Sequence, residues 1–127
     1  MFDVLFATST MVTAIAHGAT AVLPFPDEAA ARAAGAASEP GSFVMAGELY
    51  AETIRGFAPP TPLALLELGL AGRRLIYATT NGTVAMNACA GAAEVYCGAL
   101  LNGTAIAERI VTAHRDQTLL LVCSGSM

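Results

Sequence analysis

The stretch RRLIYATTNGTVAM, residues 73–86, decides the fold. Its apolar run, Leu75-Ile76-Tyr77-Ala78, has no alternating polar positions, as expected of a strand buried on both faces. The run ends in Thr79-Thr80-Asn81-Gly82-Thr83, rich in residues that cap helices, and passes into an alanine-rich helical segment. Strand, hydroxyl-rich turn and helix, in that order, are the unit of a parallel sheet with crossover helices. The tripeptide returns as Asn102-Gly103-Thr104, again after an apolar run and again opening a helical pattern.

The same rhythm extends in both directions. Residues 2–7 read as a strand, 9–17 as a helix capped near Thr8 or Ser9 and closed by Gly18, and 20–24 as a strand. Asp27 caps DEAAARAA, whose first turn carries acids where the macrodipole favours them. Residues 42–46 form a further strand leading to Gly47-Glu48, and 49–62 is irregular and proline-containing. A helix over 61–68 starts with Pro62. After the strand over 74–79 come a helix over 82–90, a strand over 93–99, a helix over 103–114 and a strand over 118–123. The sequence therefore predicts one α/β domain, a three-layer α/β/α sandwich on a mostly parallel sheet.

Composition agrees. The 127 residues are 55% hydrophobic and 13% charged, against about 45–50% and 25% in ordinary domains. Net charge is −4 and there is no basic run, which excludes nucleic acid as the expected partner. The apolar stretch near residues 4–23 is interrupted by His17, Gly18 and threonines, so no membrane span is expected, and Asp3 without Lys or Arg argues against a signal peptide. Cys89, Cys97 and Cys123 lack metal-ligand spacing and read as buried reduced thiols of a cytoplasmic protein. The apolar surplus makes self-association an expectation. His17 and His114 sit near helix C-termini, where a capping role suits them, and Arg73-Arg74 reads as solvated.

In a parallel sheet the strand-to-helix turns emerge at one edge, where ligands bind. Thr8-Ser9-Thr10, Thr79-Thr80-Asn81-Gly82-Thr83 and Asn102-Gly103-Thr104 all fall there, and Ser124 opens a further strand-end turn. Helix N-termini with short hydroxyl side chains suit phosphate, and Gly82 and Gly103 permit close backbone approach or positive φ. Ordinary N-capping is the competing use of the same residues. Asp3, inside an apolar strand, and Glu48, after Gly47, would together suit magnesium. A frayed chain start and a solvated loop acid are the alternatives for these two.

Four segments, DVLFATSTMVTAIAHGA at 3–19, MAGE at 45–48, TTNGT at 79–83 and GALLNGTAIAERI through LLLVCSG at 98–125, resemble the 2-phosphosulfolactate phosphatase family of coenzyme M biosynthesis. The resemblance implies a magnesium-dependent phosphatase acting on a small anionic phosphate ester. It implies Asp3 and Glu48 as metal ligands, and Asp3 and Asn81 in catalysis. It implies substrate contacts from Thr8, Ser9, Thr10, Thr79, Thr80, Gly82, Thr83, Asn102 and Ser124. The chain departs from the family pattern at Phe6 and Leu49, where arginines are expected, and at GFAPPTP, residues 56–62, which lacks an expected aspartate and asparagine. Arg55 is a candidate replacement. Family members are expected to extend beyond both ends of this segment. The alternative reading is an inactive or fragmentary relative that binds anions or a partner chain. A dinucleotide-binding domain would need G-x-G-x-x-G where this chain has ATST.

Overall fold

A computed structural model describes residues 7–124. The elements run α1 (Ala7–Ala16), β1 (Ala21–Phe25), α2 (Glu28–Ala36), β2 (Phe43–Leu49), β3 (Glu52–Thr53), α3 (Pro62–Glu67), β4 (Arg74–Ala78), α4 (Gly82–Ala88) and α5 (Gly103–Ala113). The strands form one sheet in the order β1-β4-β2-β3. β4 pairs in parallel with β1 on one side and β2 on the other, and β3 returns antiparallel to β2. Ala78 is in register with both Phe25 and Gly47, so three parallel strands end level at one edge.

β4 is central because its side chains are apolar on both faces. Leu75 and Tyr77 join Val44 and Ala46 of β2 in a core closed by Met11 and Ala14 of α1 and Leu65 of α3. Ile76 and Ala78 point the other way, into a second core with Ala31 of α2, Ile54 and Phe57. Period-two alternation thus divides the strand between two helix layers, and the expected α/β/α arrangement is present. Local chemistry sets the helix ends. The Asp27 carboxylate accepts from Ala30 N at 2.8 Å, capping α2. Gly18, at φ 90°, ends α1 with Ala19 N donating to Ala14 O and Gly18 N to Ile15 O, a Schellman closure.

The structure revises four boundaries. Residues 2–6 of the first expected strand lie outside the described residues, and Ala7 belongs to α1, not to a strand. β2 continues through Glu48 to Leu49 and turns back as a hairpin into β3, where a loop was expected. Residues 93–99 and 118–123 form no continuous strand and carry only bridge positions at Gly98 and Cys123. Their composition suits strands, but a strand is a pairing, and the described sheet ends at β1 and β3.

Consequently the C-terminal third packs loosely. α5 has no buried residue, and Leu119, Leu120 and Leu121 are exposed. These segments and α4 line an apolar cavity of about 660 Å³. Cys89 and Cys97 are half-buried and Cys123 is exposed, so full burial does not hold for any of the three cysteines. Among the described residues no helix is long and apolar enough to cross a membrane.

The level strand ends depend on a close approach. A Cβ built on Gly47 would lie 2.2 Å from Ala78 O. Gly47→Ala must push β2 away from β4, and it is expected to cost about 2–3 kcal/mol by overpacking. In urea unfolding the midpoint falls while the slope stays the same.

Candidate functional site at the C-terminal edge of the sheet

Beyond Phe25, Gly47 and Ala78 the chain enters the turns that carry the expected site residues. The TTNGT turn is locked largely by its own side chains. Thr79 N donates to Thr83 Oγ1 at 2.8 Å, Thr83 N donates to Thr79 Oγ1 at 3.0 Å, and Thr83 Oγ1 donates to Thr79 O at 3.0 Å. Both threonines are buried, so these bonds satisfy backbone groups that water does not reach. Asn81 is the N-cap residue of α4 by position, with its carbonyl accepting from Ala85 N at 2.9 Å, yet its side chain makes no capping bond. Gly82 opens α4 and is not among the glycines with positive φ; nor is Gly103.

Thr80 faces Glu48 across the strand ends. Thr80 N donates to Glu48 Oε1 at 2.7 Å and Thr80 Oγ1 donates to Glu48 Oε2 at 2.9 Å. Glu48 Oε2 also accepts from Ala51 N at 2.8 Å, and Thr80 Oγ1 accepts from Tyr50 N at 2.7 Å. Tyr50 and Ala51 form the two-residue hairpin loop at φ 53° and 67°. Two positive φ angles are the signature of a type I′ turn, normally given to Asn-Gly. For residues with a Cβ this conformation costs about 1–2 kcal/mol each. The Glu48–Thr80 pair supplies the bonds that hold it. The sequence had no signal for this turn, because GELYAET contains neither glycine nor asparagine at its tip.

Glu48, Thr79 and Thr80 line a small cavity of about 110 Å³ together with Asp27, Glu28 and Tyr50. The lining contains three carboxylates and no arginine. Besides Glu48, the other two also have protein partners: Asp27 caps α2, and Glu28 pairs with Arg32 at 2.7 Å. Arg73 and Arg74 sit at the opposite end of β4, where Arg73 donates to the carbonyls of Leu68, Gly69 and Phe43 and is anchored instead of solvated. Arg55 is exposed, and its carbonyl accepts from Arg32 Nη2 at 2.6 Å.

The other expected residues among those described do not line this cavity. Thr8 and Thr10 are buried in the first turns of α1, and Thr10 Oγ1 donates to Pro60 O at 2.8 Å. Tyr77 Oη donates to the same carbonyl at 2.9 Å, so the two hydroxyls pin the proline loop to the core. Ser9 is half-buried in the same helix. Asn102 clasps its own loop, Oδ1 accepting from Ala99 N at 2.8 Å and Nδ2 donating to Cys97 O at 3.0 Å. Ser124 is half-buried, with a hydroxyl that has no hydrogen-bond partner among the described residues. Asp3 lies outside the described residues. Among the described residues a magnesium site built on Glu48 has one carboxylate, already bonded to three protein donors. Among the described residues no group of three His, Cys, Asp or Glu is placed to hold a metal. The described residues alone do not fit the ion.

A second polar group sits on the wall of the larger cavity. Tyr96 Oη donates to Glu94 Oε2 at 2.7 Å and lies 2.7 Å from His114 Nε2. His114 Nδ1 is buried without a partner among the described residues. The histidine thus ties the end of α5 to the 94–96 segment, a different task from helix capping. The Tyr96 hydrogen bond, followed by the charges of His114 and Arg109, holds the Glu94 carboxyl below its usual range despite some desolvation.

Comparison with known proteins gives one consistent result. The family model described as 2-phosphosulpholactate phosphatase matches residues 1–127. A protein named "Probable 2-phosphosulfolactate phosphatase" from Caldanaerobacter subterraneus subsp. tengcongensis is 35% identical over 127 residues, 99% of this chain and 52% of that protein. The namesake from Symbiobacterium thermophilum is 35% identical, covering 99% of this chain and 54% of its own. That from Synechococcus sp. is 37% identical over 124 residues, 97% and 50% of the two chains. The chain spans about half the length of the curated relatives it matches.

Two outcomes follow from this geometry. Thr83→Val strands the buried Thr79 N–H and is expected to cost about 1–3 kcal/mol, whereas Thr83→Ser keeps the bonds and most of the stability; urea unfolding separates them. Glu94 contributes stability above the carboxyl's unfolded pKa and loses it as pH falls through the lower folded value. Tyr96→Phe should raise the Glu94 titration midpoint towards the ordinary range, read by carboxyl NMR.

Proposed function

This chain belongs to the 2-phosphosulpholactate phosphatase family, and on that premise we propose that it takes part in hydrolysing the phosphate monoester of a small sulfonated or carboxylated hydroxy acid, 2-phosphosulfolactate to sulfolactate and phosphate. The observation that carries the reading is Asn81. It sits at the C-terminal end of the central strand, in a turn whose threonines are all committed to the fold, and its side chain makes no capping bond. Such an amide donates to a phosphoryl oxygen as negative charge is redistributed during P–O cleavage. Thr80, fixed by Glu48, and Thr79, fixed by Thr83, hold the backbone that presents it.

Magnesium dependence is part of this proposal and is read directly by assay. The alternative, a family member that binds but does not turn over, is favoured by one observation: the strand-end cavity is lined by three carboxylates without an arginine, a poor field for an anionic ester.

Phosphate release from 2-phosphosulfolactate by the purified chain, with magnesium and with chelator, separates the two readings. Turnover that requires magnesium and falls at least about tenfold in Asn81→Ala is expected, as for the loss of one transition-state donor. A folded chain without turnover would leave the binding-only reading. Turnover unchanged in Asn81→Ala would remove Asn81 from the site.

A further inference from the structure

We propose that Glu48 is a positioning residue, a clamp between the Tyr50–Ala51 turn and the Thr80–Asn81 turn, and that it is not a magnesium ligand. An ionised carboxylate offers about four acceptor positions. Three are filled here, by Thr80 N on Oε1 and by Thr80 Oγ1 and Ala51 N on Oε2. Magnesium demands a near-octahedral set of oxygens and keeps several waters. Among the described residues the single free position on Oε1 has no second uncommitted carboxylate lining the same cavity, because Asp27 caps Ala30 N and Glu28 holds Arg32.

The clamp has a visible load. Tyr50 and Ala51 occupy the left-handed region without being glycine. Both of their N–H groups end on the clamp, Tyr50 N on Thr80 Oγ1 and Ala51 N on Glu48 Oε2. The Thr80 hydroxyl accepts from Tyr50 while donating to Glu48, so the carboxylate charge strengthens both bonds. On the other side, Glu48 Oε1 holds Thr80 N, one residue before Asn81. Glu48 thus acts on Asn81 through Thr80; only this last link rests on the phosphatase reading.

The test compares wild type, Glu48→Gln, Thr80→Val, Thr80→Ser and the Glu48→Gln/Thr80→Val double variant. Melting temperature and amide exchange at Tyr50 and Ala51 are read in saturating magnesium and in chelator. Glu48→Gln is expected to lower Tm by roughly 5–10 °C and to release the two amides, equally in both buffers. Thr80→Val should do the same, Thr80→Ser should restore wild-type protection, and the double variant should lose less than the sum. The proposal is overturned if magnesium raises the Tm of wild type and of Thr80→Val but not of Glu48→Gln. It is also overturned if the Tyr50 and Ala51 amides stay protected in Glu48→Gln. Should Glu48→Gln fail to fold, the Thr80→Val and Thr80→Ser pair still decides whether the clamp protects those amides. Neither readout needs turnover, so loss of the phosphatase reading and loss of the clamp are separate results.

Discussion

The strand-end geometry depends on the absence of a side chain at Gly47. With Ala78 O only 2.2 Å from where its Cβ would sit, the ends of β2 and β4 lie closer than any other residue permits. That approach puts Glu48 and Thr80 within direct hydrogen-bond reach, at 2.7 and 2.9 Å. The same residue accepts from Ile54 N at 3.2 Å and donates to Ala58 O at 3.1 Å, drawing the chain after the hairpin back against β2. One missing methyl group therefore sets the strand register at the edge, the reach of the carboxylate and the course of the following loop.

The hydroxyl-rich turns show how folding and binding compete for the same groups. Every backbone N–H and C=O withdrawn from water needs a partner, and at strand-to-helix turns the ladder has ended before the helix bonds begin. Thr79 and Thr83 close that gap for each other, Thr10 and Tyr77 close it for the proline loop, and Asn102 closes it for residues 97–102. A sequence rich in Ser, Thr and Asn at strand ends therefore reports demand for backbone partners before it reports a ligand. What distinguishes Asn81 is that its neighbours have met this demand without it.

Much of the fold was legible because burial leaves a periodic trace. Leu75-Ile76-Tyr77-Ala78 has no polar position, and it is the strand buried on both faces. Asp27 and Gly18 announced a helix start and a helix end through chemistry that acts within a few residues. The hairpin at Tyr50–Ala51 left no such trace, since its left-handed angles are held by a carboxylate and a hydroxyl from outside the turn, Thr80 thirty positions away in sequence. Glu48 lies where the sequence places a candidate site residue, at the C-terminal edge of the sheet. Its position after a strand-ending glycine was visible, but its three donors come from the hairpin and from a neighbouring strand's turn.

The C-terminal third shows the limit of composition as a guide to pairing. TLLLVC has the β-branched and apolar character of a strand, and AEVYCGA has it in part. Neither segment pairs as a strand in the described sheet, and α5 lies beside them with no residue buried. An amphipathic helix gains its stability from the face it packs, so a helix without buried residues is held mainly by its own backbone bonds and local clasps. Asn102 at its start, and His114 with Tyr96 at its end, are those clasps. The buried core is built on β4 and its two helix layers, and the strand-end site stands on that core.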